Sequence, residues 1–240
     1  MPQQILSPGS NMPLDYLAVS CKLAHLKRCI GRLLYSKLPS AAARTASISS
    51  VSDALTSLRA WHASIPPHLR DAAQAASFHQ RSVAVLHLRY WSATIFATRP
   101  FLLYAVLHPA QLADSPKKAY FENFAGLCCE AAAQSLALLL YMREARLLSS
   151  LVTLDTGCVL EDLQVFLLSV ARGDANRAEE VRSCLRVLQG MEQIFWTRHA
   201  LTEVMAQLEE NGMLNAENSF SPQGETPGHF FLDITHQHEL

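Results

Sequence analysis

Residues 86–104, LHLRYWSATIFATRPFLLY, constrain the fold of this chain more than any other stretch. Leu86, Leu88, Tyr90, Trp91, Ile95 and Phe96 cover more than one stripe of a helix, so the segment must be buried on most sides. Pro100 lacks an amide donor and pushes Arg99 away from helical geometry, which predicts that a helix begun near Ser77 ends or kinks at Thr98. Arg99 lies between two apolar runs and needs either water or a carbonyl or carboxylate partner, because burying a guanidinium unpaired is prohibitive. Other apolar helices must enclose such a segment, and 240 residues that are 50% hydrophobic and 17% charged can supply them.

The rest of the chain has the same helical period. Apolar positions predict helices over residues 14–38, 48–65, 117–147 and 151–171, with a short helix between Pro100 and Pro116. EAAAQSLALLLYM, within residues 117–147, is apolar nearly all round and is expected to be central. Gly173 reads as a C-cap. A last helix is expected from Asp174–Asn176 to Gly212, opened by Asn176 and Glu179 in a capping-box-like pair. No stretch alternates as a strand does. The expected fold is all-α, an irregular bundle of about six main helices over residues 14–212, with a disordered N-terminus over 1–13 and a disordered tail over 213–240.

Charge is nearly balanced overall, at −1, but the halves differ: residues 1–100 sum to +8 and residues 101–240 to −9. The most economical reading is a set of basic and acidic solvent faces that complement one another, and a near-neutral chain is not expected to bind nucleic acid directly. From His199 onward there is no Lys or Arg, while Phe220, Phe230, Phe231, Leu232 and Ile234 are interspersed with acids that include Asp233. That pattern suits either a solvated tail or an amphipathic activation segment whose rings meet a coactivator groove. No secretory leader is visible, charges interrupt every long apolar run, and a soluble chain without a membrane span is expected.

Motifs for phosphate loops, dinucleotide folds, hydrolase elbows and zincins are missing. The histidines are scattered, the six cysteines form no C-x-x-C pair, and all six are expected to be buried, reduced and structural. Glu161 and Asp162 are adjacent on a helix and should diverge. Asp155, in LVTLDTGCVLEDL, is best read as a helix N-cap. No catalytic, cofactor-binding or metal-binding residue is expected.

IGRLLYS at residues 30–36, the spaced set Leu58, Trp61, Ile65, Pro66 and Leu69, and LHLRY with RPFL over residues 86–102 together resemble the fungal-specific transcription factor domain, the middle homology region of zinc binuclear cluster regulators. VTLDTGCVLEDLQVFLLSVA and a helix ending near Phe195 and Trp196 resemble later family helices more weakly. The resemblance implies an all-α regulatory domain in the nucleus that controls RNA polymerase II transcription, with metabolic genes among its targets. Trp61, Pro66, Leu86, Tyr90, Arg99, Pro100 and Phe101 carry its motif. It implies zinc only in a separate DNA-reading domain, whose clustered cysteines this sequence lacks, and it implies homo- or hetero-dimers with related regulators. The resemblance also starts inside the family region, without the helices that precede IGRLLYS there, and a helical core truncated in this way is expected to leave an apolar face open to self-association. Two other readings compete: an interaction protein that dimerises with full-length relatives and antagonises them, and a helical small-molecule binder or enzyme with a site in its core.

Overall fold

Tyr16–Tyr35 forms α1, a 20-residue helix that contains no acidic residue and buries only Tyr16, Leu23 and Ile30. The seven-residue spacing of those three leaves a narrow seam, and Leu17, Leu33 and Tyr35 stay exposed. The computed structural model describes residues 12–35 and 48–214. The expectations for the extreme N-terminus, for the small-residue connection over 39–47 and for Phe220, Phe230, Phe231, Leu232 and Asp233 therefore lie outside the described residues.

Among the described residues the fold is all-α, with eight α-helices and no strand. The chain divides into two compact units, Met1–Thr98 and Arg99–Leu240. The first holds α1, then α2 (Ile48–Ala63), a short 3-10 turn over Pro67–Leu69, and most of α3 (Ser77–Leu107). Val51, Leu55, Leu58 and Trp61 recur every three or four residues on α2 and are all buried, as the period predicts.

The second unit continues with the end of α3, then α4 (Pro109–Ala113), α5 (Lys118–Glu144), α6 (Thr153–Ala171), α7 (Ala178–Gly190) and α8 (Phe195–Glu210). Helix α6 packs against both α5 and α7. Thirteen of its nineteen residues are buried, so the centre of this unit is α6 and not α5, the expected core helix. Helix α5 buries small residues, among them Ala125, Ala131 and Ala132, and α6 buries the larger Leu163, Phe166 and Leu167. By length and composition alone α5 could cross a bilayer, which corrects the expectation that no stretch qualifies. Half of that apolar window is buried within the fold.

Two further expectations are corrected. The helix predicted over 174–212 is split: a 3-10 turn spans Ala175–Arg177, α7 ends at Gly190, Met191 is extended (φ −77°, ψ 157°), and α8 starts at Phe195. Phe195 and Trp196 thus begin a helix and are largely exposed. Gln193 makes the break possible: its Nε2 donates to the carbonyls of Leu188 (3.1 Å) and Met191 (2.8 Å), satisfying the orphan end of α7. No capping box forms at Asn176, because the residues ahead of α7 are already coiled into the 3-10 turn and Arg177 occupies its N-cap without a side-chain bond. Gly173 (φ 102°) does end α6, with the Asp174 amide donating to Ser169 O at 3.1 Å.

The larger correction is at Pro100, which does not end α3: the helix continues through it to Leu107. Proline at this position removes the N–H that would have bonded the Phe96 carbonyl four residues earlier. Tyr35 Oη donates to that carbonyl at 3.1 Å, and the Tyr35 ring stacks on Phe96 with centroids 4.5 Å apart. A side chain from α1 supplies the bond that the proline cannot. Just upstream, Thr94 and Thr98 each donate to the carbonyl four residues back, at 3.1 and 2.7 Å.

Candidate functional site

The motif residues of the first unit form a helix corner. Trp61 is buried, stacks on Tyr90 from α3 (5.8 Å between centroids, 22°), and donates from Nε1 to Val19 O on α1 at 3.1 Å. One indole therefore ties three helices. Pro66, half-buried and extended (φ −54°, ψ 146°), turns the chain into the 3-10 segment that buries Leu69, and Arg70 Nε donates back to Ile65 O. Buried His87 donates from Nε2 to Leu69 O at 2.9 Å, beside fully buried Leu86. His62 stacks on Tyr90 at 4.3 Å and meets His87 edge-on at 5.4 Å. Burial pushes both imidazoles below the usual histidine range, helped at His62 by the charges of His87 and Arg70 and opposed at His87 by the Leu69 carbonyl and Asp71. These rings pack as neutral aromatics.

In the second unit, Arg99 is half-buried and donates from Nη1 to Gln164 Oε1 on α6 at 3.2 Å, so its partner is an amide and not an acid. Replacing Arg99 with alanine is expected to lower the stability of this unit by about 1 kcal/mol, the net worth of one such bond plus lost packing. An unchanged urea midpoint would remove that anchoring role. Phe101 is buried in a ring cluster with Phe124 (4.6 Å) and Phe121 (5.2 Å). Trp61, Tyr90, Leu86 and Phe101 are thus accounted for by packing or a backbone bond, and Arg99 by its bond to the Gln164 side chain.

Asp155 is fully buried in the first turn of α6, but Val152 is the N-cap residue. Its Oδ2 accepts the Ser149 amide at 2.9 Å, so it holds the preceding turn and does not cap the helix. Four cysteines are buried as expected, whereas Cys21 is exposed and Cys29 half-exposed, because α1 buries only its narrow seam.

One residue the sequence reading underrated is Asp162. It is fully buried on α6, and neither carboxyl oxygen has a hydrogen-bond partner. Ser135 on α5 lies near enough to favour the charged carboxylate without making a well-formed hydrogen bond, and Cys184 on α7 lies close enough to feel its charge. Desolvation pushes the Asp162 carboxyl far above the ordinary carboxylate range, opposed by Ser135 and reinforced by Glu161. Desolvation likewise drives the Cys184 thiol well up, with Asp162 and Glu180 adding to it. A neutral acid beside a neutral thiol offers no nucleophile at neutral pH. No group of three or more potential metal ligands occurs among the described residues.

Open surface lies along α1 instead. One groove of about 550 Å³ is lined by Ala18, Cys21 and His25 with Ala60, Trp61 and Ser64 of α2. A second, of about 540 Å³, is lined by Ala24, Lys27, Arg28, Gly31 and Tyr35 with Phe96 of α3. The second has an aromatic floor and a cationic rim. Lys27 Nζ lies 5.5 Å from the Phe96 ring centre and donates to Ser92 Oγ at 2.9 Å. No protein-family model, curated protein or solved structure matches the chain.

Proposed function

We propose that this chain is the regulatory domain of a fungal transcription regulator, acting in the nucleus on RNA polymerase II transcription. What carries the reading is the ordered set IGRLLYS, Trp61-x-x-x-Ile65-Pro66, LHLRY and RPFL in one chain. The described residues of these pieces lie on helices or a helix corner of an all-α fold, where Trp61 and His87 bond the backbone. The accessible features, two grooves along α1, suit contact with another polypeptide better than a reaction, since neither gathers several buried polar groups around a deep cavity. Dimerisation with related regulators, zinc confined to a separate DNA-reading domain, and coactivator contact through Phe220, Phe230, Phe231, Leu232 and Asp233 belong to this proposal.

Tethering tests it. The full chain, fused to a neutral DNA-binding module upstream of a reporter, is expected to change reporter output several-fold, and a fusion ending at residue 212 is expected to lose activation. Output equal to that of the module alone from both fusions would contradict the reading.

A further inference from the structure

Among the described residues, the cations along α1 lack acidic partners. Helix α1 carries Lys22, Lys27, Arg28 and Arg32 and no Asp or Glu. None of the four is ion-paired with a carboxylate among the described residues, whereas the arginines of residues 172–186 pair with Glu122, Asp174, Glu179 and Glu180. Arg28 and Arg32 are exposed, and among the described residues their side chains bond His25 and Cys29 of their own helix. Beside them the stacked Tyr35 and Phe96 rings floor the groove, and Tyr35 is 44% exposed. Gly31 keeps the floor open, since a Cβ there would already touch the Phe96 ring at 3.5 Å.

Two sets of observations select an occupant. A second copy meeting this face would set Lys27, Arg28 and Arg32 against the same three cations, so charge opposes self-association here. Residues 215–240 carry the complementary chemistry: Glu217, Glu225, Asp233 and Glu239 with Phe220, Phe230 and Phe231, and no Lys or Arg. Twenty-six residues reach up to about 85 Å when extended, several times a domain radius.

We infer that the groove between α1 and Phe96 is a docking site for an acidic, aromatic-bearing peptide, and that residues 215–240 of this chain are its occupant. Arg28 and Arg32 bind its carboxylates, and a phenylalanine ring lies on the Tyr35 and Phe96 floor. The inference does not rest on the transcription reading, and its readout is a position on the protein.

The test uses the full chain with p-benzoyl-L-phenylalanine in place of Phe231, irradiated and mapped by mass spectrometry. Crosslinks are expected on α1 or around Phe96, weakened at least about fivefold by R28E/R32E and by 0.5 M salt, and regained when E225K/D233K is added to R28E/R32E. Both arginines are exposed, so the R28E/R32E melt should overlay the parent's. Crosslinks confined to another surface, no crosslink at all, or yields indifferent to charge reversal and to salt would overturn the inference. Loss of the crosslink to a short DNA duplex at near-stoichiometric concentration would assign the cationic face to nucleic acid instead and also overturn it.

Discussion

Replacing Asp162 with asparagine is expected to flatten the stability of the second unit between pH 5 and pH 8. Asp162 is fully buried with neither oxygen bonded, and desolvation holds its carboxyl far above the usual range. The folded protein therefore keeps the proton while the unfolded chain has released it. Stability that is complete below the unfolded carboxylate pKa falls as pH rises, by about 1.4 kcal/mol per pH unit, until the folded carboxyl itself ionises. Glu161 on the same helix, Ser135 on α5 and Cys184 on α7 are the charged or polar groups that act on it or feel its charge. Cys184, driven above its ordinary value, stays neutral throughout the window. His62 and His87 of the first unit act in the opposite sense: their depressed values give stability that is present above pH 6.5 and lost as pH falls. The Asp162 effect is therefore read as the difference between parent and variant in urea unfolding, followed by amide exchange in α5–α7. Equal pH slopes in the two proteins would remove the buried neutral acid from the account.

Trp61→Ala should be the most damaging single change in the first unit. It empties the volume of a buried indole, ends the stack on Tyr90 and leaves Val19 O without its donor. Removing a buried tryptophan costs about 3–5 kcal/mol, a large share of a domain's net stability. Trp61→Phe keeps a ring against Tyr90 and loses mainly the hydrogen bond, for about 1 kcal/mol plus the smaller volume deficit. Faster amide exchange across α1, α2 and the first half of α3 in Trp61→Ala, and far less change in Trp61→Phe, is the expected pattern. Similar exchange in both variants would mean that packing at this corner is not what Trp61 supplies.

Most helices are legible in the sequence because apolar period is a direct consequence of burial: α2, α5 and α6 fall within two or three residues of their predicted limits. What period cannot report is a partner far along the chain. Pro100 reads as a helix end until the Tyr35 hydroxyl, 61 residues upstream of Phe96, is placed on the orphaned carbonyl. Likewise the split between α7 and α8 is invisible where Leu188, Met191 and Ile194 keep a helical spacing, and it depends on Gln193 folding back. Adjacency on a helix says only that the Glu161 and Asp162 side chains diverge, and not which of them turns inward, although the flanking Leu163, Val165 and Phe166 mark that turn as interior. The α1 groove had a signal in the sequence, a 20-residue helix with four cations and no acid, but not the aromatic floor, which only the fold assembles.

The claim on which the architecture turns is that α3 survives its internal proline because Tyr35 replaces the missing donor. A double-mutant cycle of Tyr35→Phe with Pro100→Ala, measured by urea unfolding of the full chain, tests it most directly. Tyr35→Phe retains the stack on Phe96 and should cost about 1 kcal/mol in the parent. With Pro100→Ala the backbone N–H of residue 100 returns to the Phe96 carbonyl, and the cost should fall to less than half of that, a coupling the cycle reads directly. An equal cost of Tyr35→Phe in both backgrounds would contradict the account.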